Sequence, residues 1–181
     1  MNALLNNGLW IQDSYTLMPS EGEPFFNTNV WMNKSLLYKN GSNYINAPCA
    51  WLVMTINDGY AYFGYSLDGR NIVWYDSYPV GNAVIEPMVS TELVLGGYGN
   101  GAQAVLGNGI TLVYLALYYW NGTTWEPAPV GVFTPTPGGY TITGESVNHA
   151  YVFTSGTCGG VVSWPNPVNE TICPSSPSFK P

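Results

Sequence analysis

Apolar and aromatic residues alternate with polar residues along most of this chain, which is the pattern of half-buried β-strands. No segment carries a convincing run of apolar positions at helical spacing. The candidate strands are residues 8–17, 24–31, 50–56, 60–66, 71–78, 91–96, 110–120, 129–133 and 147–154. Many short strands at close spacing predict an all-β fold, an antiparallel β-sandwich or jelly roll with very little helix.

Turn sequences separate several of these strands. Asn57-Asp58-Gly59 and Asp68-Gly69 are tight-turn sequences that join antiparallel neighbours, so residues 50–78 are predicted to form a three-stranded meander. The glycine-rich segment 96–101 contains no Gly-Lys-Ser or Gly-Lys-Thr and precedes no helix, which disfavours a phosphate-binding loop.

The length of 181 residues suits one β-sandwich domain, which we predict over residues 1–164. Proline and serine dominate from Pro165 onward, and residues 165–181 are predicted to form a loosely packed C-terminal tail.

Charge is scarce in this chain. Charged residues make up 8% of it and the formal net charge is −7 at neutral pH. The four basic residues are scattered, which argues against nucleic-acid binding, because phosphate recognition needs clustered Lys and Arg. A surface made soluble by Asn, Ser, Thr and Tyr suits acid, where salt bridges fail. No stretch of about 18 apolar residues occurs, so no membrane span is expected.

Several features favour an extracellular or cell-surface location. Asn-x-Ser/Thr sequons, the acceptors of N-linked glycans, occur at Asn33, Asn40, Asn121 and Asn169. Cys158 and Cys173 are close enough in sequence to form a disulfide, although a fully reduced set with Cys49 is an open alternative. The start of the chain lacks the pattern of a signal peptide, so we expect a mature or excised piece.

Carboxylates are the side chains of this sequence best suited to catalysis, because metal, cofactor and thiol sites are not indicated. No Cys/His spacing suits a metal and no cofactor is expected, while His149 with Cys49 or Cys158 has no local support as a thiol dyad. In acid, two close carboxyl groups that share a proton deprotonate water and protonate a substrate best. Carboxylates on neighbouring strands with a common face would provide this pair.

Asp76 and Glu92 are the acids that stand out within apolar strands. Asp76 alternates with Ile72 and Trp74 on one predicted face, and burying such a charge is costly. The alternative is that both acids lie at a rim and face water. Asp13 can be interpreted either as a site acid or as an acid that faces water.

Six short motifs occur in a recognisable order over residues 9–154. They are Trp10-Ile11-Gln12-Asp13, Asn29-Val30-Trp31, Phe63-Gly64-Tyr65-Ser66 with Trp74-Tyr75-Asp76, Thr91-Glu92-Leu93-Val94-Leu95-Gly96-Gly97, Leu117-Tyr118-Tyr119-Trp120-Asn121-Gly122 and Thr143-Gly144-Glu145-Ser146. Together they resemble the thermopsin-like peptidases of thermoacidophilic archaea.

The resemblance implies a secreted acid endopeptidase that cuts extended polypeptides without cofactors. It implies catalytic roles for the acids in matching motifs, Asp76, Glu92 and Glu145, with Gln12 as a polar partner. By analogy with glutamic peptidases, Glu92 is expected to act as general base and acid while Gln12 helps to bind the oxyanion.

The chain departs from the family in one respect. A further N-terminal segment with an acidic motif precedes the Trp-hydrophobic-Gln strand in the family, whereas few residues precede Trp10 here. A missing strand would leave a sheet edge open to self-association. A non-catalytic extracellular structural, cell-surface or filament module is therefore the alternative to the enzyme, and a carbohydrate-binding sandwich is a third interpretation.

Overall fold

Every secondary-structure element in the described part of the chain is a β-strand. The computed structural model describes residues 1–16, 22–47, 49–90, 103–105, 112–128, 146–148, 150–155, 158–163 and 176–180. The strands are β1 (Asn2–Leu5), β2 (Leu9–Thr16), β3 (Phe25–Met32), β4 (Ser35–Tyr44), β5 (Trp51–Asn57), β6 (Tyr60–Ser66), β7 (Val73–Pro79), β8 (Ile85–Ser90), β9 (Gln103–Val105), β10 (Leu112–Ala116), β11 (Tyr118–Trp120), β12 (Trp125–Pro127), β13 (Ser146–Asn148), β14 (Ala150–Ser155) and β15 (Cys158–Ser163).

The chain divides into two compact units. The first contains Met1–Glu92 together with Pro177–Pro181, and the second contains Leu93–Ser176. The end of the proline- and serine-rich tail is packed rather than loose, since Phe179 is buried and its N–H shares the Gly69 carbonyl with the N–H of Ser178. The predicted single domain over residues 1–164 and the tail over 165–175 stay predictions.

The first unit contains two antiparallel sheets. One has the strand order β4-β3-β2-β1-β8 and the other has the order β5-β6-β7. Apolar side chains from both sheets meet in one core, with Ile11 and Val30 from the first sheet and Ala61 and Phe63 from the second. The predicted all-β, antiparallel, sandwich-like class is thereby confirmed.

Strand alternation explains which residues form this core. In β2 the side chains of Leu9, Ile11 and Asp13 are buried, while the intervening residues are more exposed. Aromatic contact joins the two sheets, because the ring of Phe26 in β3 stacks on that of Tyr65 in β6 at 4.2 Å between centroids. Burying each large apolar side chain contributes roughly 1.5–3 kcal/mol.

The predicted meander is present as the β5-β6-β7 sheet. Asp58 and Gly59 both have positive φ, 48° and 81°, as a two-residue hairpin turn requires. The Asp68 carboxylate accepts hydrogen bonds from the backbone N–H groups of Arg70 and Asn71, which close the second turn.

Some strands were missed and others were merged in the sequence prediction. β4 contains Lys39, Asn40 and Gly41, and such a polar segment forms a strand only because it pairs with the apolar β3. The predicted strand 110–120 is two strands, β10 and β11, which belong to different sheets. The predicted strands 91–96 and 129–133 lie outside the described residues.

The second unit contains three small described sheets. β10, β15 and β14 form an antiparallel sheet, and β11 and β12 form a hairpin. β9 and β13 pair in parallel, which is an exception to the antiparallel expectation. The predicted strand 147–154 is divided between β13 and β14.

A β-bulge interrupts β7 and reorients its side chains. Phe63 pairs with Asp76 while the next residue, Gly64, pairs with Trp74, so Tyr75 is an extra residue in β7. Tyr75 and Asp76 consequently both turn toward the interior, and Trp74, 41% exposed, lies on the outer face. The predicted alternation of Asp76 with Trp74 on one face is therefore wrong, because the bulge shifts it by one residue.

Gly64 opposite this bulge has no room for a side chain. A Cβ atom there would lie 2.7 Å from Trp74 Cε3 and 3.0 Å from both the Ile72 side chain and the Val73 carbonyl oxygen. We expect Gly64→Ala to lower the free energy of unfolding by about 1–3 kcal/mol, as overpacking does. Urea denaturation would measure this change.

Gly41→Ala is the matched control for this substitution. Its Cβ atom would come no closer than 3.2 Å to Asn27 Cβ and the Phe25 ring and would meet no carbonyl oxygen, so a smaller adjustment is needed than at Gly64. A loss of stability in Gly64→Ala no larger than in Gly41→Ala would contradict the close approach at the bulge.

Candidate functional site

A buried carboxyl group lies at the centre of the first unit. Asp13 is 0% exposed and projects from the inward face of β2. Its Oδ1 accepts a hydrogen bond of 2.6 Å from the Tyr75 hydroxyl, which comes from the opposite sheet. Its Oδ2 is also buried and has no hydrogen-bond partner among the described residues.

Burial changes the acidity of this group. Loss of solvation raises the pKa of Asp13 to about 7, against the opposing effect of the Tyr75 hydrogen bond, and the negative charge of nearby Asp76 also raises it. Asp13 is therefore held in its protonated, neutral form in acid.

Asp76 lies beside Tyr75 and has its own tyrosine partner. Its Oδ1 accepts hydrogen bonds of 2.9 Å from the Tyr38 hydroxyl of β4 and from the backbone N–H of Ser77. Its Oδ2 is buried and has no hydrogen-bond partner among the described residues. Asp13, Tyr75, Asp76 and Tyr38 together form the Asp–Tyr site.

The two tyrosines act as fixed hydroxyl donors in this site. Burial, together with the charge of Asp13, raises the pKa of Tyr75, and burial with the Asp76 hydrogen bond raises that of Tyr38. The hydroxyl of Thr28 donates to the Tyr75 oxygen at 3.2 Å, which orients the Tyr75 proton toward Asp13.

The Asp–Tyr site extends from the core toward one side of the sandwich. In the described part of the chain, β4 and β7 each pair with a single neighbour, so each is an edge strand of its sheet. Because Tyr38 and Asp76 belong to these two edge strands, Asp76 lies near a rim while Asp13 lies deeper. The bulge allows this arrangement, since it turns two consecutive residues of β7 inward.

Gln12 does not share a site with Asp76. It lies on the opposite face of β2 from Asp13, where its Oε1 accepts a hydrogen bond of 3.0 Å from Asn29 Nδ2. There it lines an open groove on the outer face of the first sheet. Alternation alone could have identified Asp13, because it shares the inward face with Leu9 and Ile11.

Other predicted positions lie outside the described residues. These are Glu92 and Glu145, Asn169, and Cys173 of the predicted disulfide with Cys158. Cys49 is exposed and has a free thiol.

The three described sequons differ in accessibility. Asn33 and Asn121 are exposed in turns. Asn40 pairs with the inward-facing Thr28 and is half-buried.

The described residues contain no group of three or more His, Cys, Asp and Glu side chains suited to a metal ion. No helix in the described ranges is long and apolar enough to cross a membrane. Comparison with models of protein families, with curated proteins and with solved structures finds no match for this chain.

The stability of the protein should depend on the protonation of Asp13. Because its pKa rises from 3.8 to about 7 on folding, the folded chain holds this proton more tightly than the unfolded chain. The free energy of unfolding therefore falls as the pH rises between these two values, by about 4 kcal/mol in total.

Asp13→Asn removes the ionisation and should abolish this contribution. Urea denaturation at about pH 4, 5.5 and 7 would measure the difference between the variant and the wild type. Asp58→Asn, in an exposed turn, is the control and should keep the wild-type dependence. An equal pH dependence in Asp13→Asn and wild type would contradict the burial of an ionisable group at this position.

Proposed function

We propose that this chain is a secreted acid endopeptidase with the Asp–Tyr site as its catalytic centre. The observation that supports this proposal best is that two acids from separate strands lie near enough to influence each other electrostatically, and each accepts a hydrogen bond from a tyrosine hydroxyl. Each of them retains a buried carboxyl oxygen without a hydrogen bond among the described residues. Buried polar atoms of this kind are uncommon in native proteins, and a catalytic role is one of the explanations for them.

The two acids have complementary roles in the proposed reaction. Asp76, nearer the rim, accepts a proton from water through its free Oδ2, and the water attacks the peptide carbonyl carbon. For Asp13, which is protonated in acid, to act as the proton source, the Tyr75 hydroxyl turns away from Asp13 and gives its own proton to the leaving amine, while its oxygen takes the proton of Asp13. One ionised and one protonated carboxyl is the arrangement that this hydrolysis requires.

The substrate class follows from the edge strand that carries Asp76. β7 pairs only with β6 among the described strands, so its other edge has no strand partner there, and the Ser77 N–H is held by the Asp76 carboxylate. An extended polypeptide can add to such an edge as a further strand, which would bring its peptide bonds past Asp76. Unfolded or extended proteins are therefore the proposed substrates.

Access to the site requires a side chain to move. Tyr38 covers Asp76 and its ring packs against Tyr78 at 5.3 Å between centroids. Displacement of Tyr38 by the substrate would expose Asp76 Oδ2 and leave Asp13 behind Tyr75. The water that attacks would then enter from the rim.

The proposed place of action is outside the cell. The scarcity of charged side chains suits an acidic medium, and the exposed sequons at Asn33 and Asn121 suit an exported chain. The resemblance of the sequence motifs to thermopsin-like peptidases supports the same proposal.

A non-catalytic extracellular module is the second candidate. The complete burial of Asp13 favours it, since a neutral carboxyl hydrogen-bonded to Tyr75 also serves to join two sheets. In such a module the edge of β7 would pair with another copy of the chain rather than with a substrate.

Proteolysis in acid distinguishes the two candidates. We expect the purified wild-type chain to cleave an unfolded protein at about pH 3, and Asp76→Asn and Asp13→Asn each to lower kcat by about 100-fold or more with little change in KM. The measurement is the appearance of new amino termini over time, with circular dichroism to verify that each variant is folded.

Asp58→Asn, in an exposed turn, is the control and should retain full activity. Glu92→Gln tests the acid that the sequence motifs favour. Cleavage by wild type that survives in both Asp variants would remove the Asp–Tyr site from the mechanism. No cleavage by any form of the folded chain would support the module instead.

A further inference from the structure

Two tryptophans form an aromatic patch on the outer face of the first sheet. Trp10 in β2 and Trp31 in β3 are direct cross-strand partners, and both are half-buried. They lie in an open groove of about 460 Å³ that is also lined by Gly8, Gln12, Asn33 and Lys34. This groove is on the face opposite to the Asp–Tyr site and has no part in the proposed peptidase reaction.

The polar groups of this Trp groove suit a neutral ligand rich in hydroxyl groups. Asn29 Nδ2 donates to Gln12 Oε1, which fixes the Gln12 amide, and Gln12 Nε2 has no partner in the part of the chain that is described. Lys34 is the single charged residue in the lining. Flat apolar rings next to free amide donors match the apolar faces and hydroxyl groups of a sugar.

One residue of the groove is itself a glycan acceptor. Asn33 and Lys34 form the tight turn between β3 and β4, with φ values of 49° and 67°, and both are exposed. Asn33-Lys34-Ser35 is a sequon, so a sugar attached to Asn33 would begin at the mouth of the groove. The tether would give that sugar a high effective concentration beside the tryptophans.

We propose that Asn33 carries an N-linked glycan whose first sugar packs on Trp31 and Trp10. Asn33 Nδ2 forms a bond to the anomeric carbon of a sugar from a lipid-linked sugar phosphate. The bond between that carbon and the phosphate oxygen breaks, and the amide proton leaves with the phosphate. This proposal rests on the export proposed above and is independent of peptidase activity.

The other described sequons provide contrasts. Asn40 is half-buried and lies opposite the inward-facing Thr28, so it should stay unmodified. Asn121 is exposed, but its side-chain oxygen accepts hydrogen bonds from the N–H groups of Thr123 and Thr124, which occupy its amide within the turn. Asn33 combines exposure with an adjacent groove.

Substitutions at Ser35 isolate the glycan without touching Asn33 or the tryptophans. Ser35 is exposed, Ser35→Ala destroys the sequon and Ser35→Thr preserves it. Both variants would be secreted from a host that performs N-glycosylation and also produced in a bacterial host that does not. Peptide mass mapping would give the occupancy of each sequon, and thermal unfolding would give the midpoints.

We expect Asn33 to be glycosylated and Asn40 to be unmodified. In the glycosylating host, Ser35→Thr should unfold about 2–4 °C above Ser35→Ala, and the difference should vanish in bacterial protein. In a Trp31→Ala background the difference should fall by at least half. Tryptophan emission should also differ between glycosylated Ser35→Thr and Ser35→Ala. This measurement needs no Trp31→Ala variant, so it does not depend on the stability of that variant.

Two results would overturn the proposal. One is an unmodified Asn33 in secreted protein whose other exposed sequon is glycosylated. The other is a glycosylated Asn33 with unchanged tryptophan emission and with the same stabilisation in the Trp31→Ala background, which would show that the glycan projects into solvent. The peptidase assay at about pH 3 is separate, so loss of glycan packing would not be confused with loss of catalysis.

Discussion

The removal of one carboxyl group from water is the constraint on which the first unit depends. Asp13 occupies a position in β2 that would otherwise hold an apolar residue, between two sheets that meet through Ile11 and Phe63. A charge at this position would be strongly destabilising, so the fold keeps the group neutral and gives it the Tyr75 hydroxyl as a partner. This contact depends on three features: the bulge in β7, the absence of a side chain at Gly64 that leaves room for the bulge, and the hydroxyl of Thr28 that bonds to Tyr75.

The strand pattern predicted most of the first unit but not its interior chemistry. β2, β3, β5 and β6 were predicted within about two residues, because apolar alternation reports burial directly. The inward position of Asp76 depends on the bulge, and an extra residue in a strand is visible only when its pairing partner is known. β4 was missed for a related reason, since its polar residues form a strand through pairing with β3 rather than through their own periodicity.

The structure combines two means of tolerating acid. Asp13 is already neutral at the low pH at which most carboxylates become protonated. Acidification therefore does not change its charge or its surroundings. At the surface, backbone N–H groups of Asn71 and Arg70 hold the pKa of Asp68 well below its usual range, so the turn between β6 and β7 keeps its ionic hydrogen bonds at low pH. Neither device uses a salt bridge, in agreement with a chain that contains few basic residues.

The contact between Ser178 and Gly69 has a consequence for folding. These residues are separated by 109 positions, and the second unit lies between them in sequence. Closing an unstructured loop of that length costs about 4 kcal/mol of chain entropy. The segment that carries Phe179 can therefore join the first unit only by closing a loop that includes the whole sequence of the second unit.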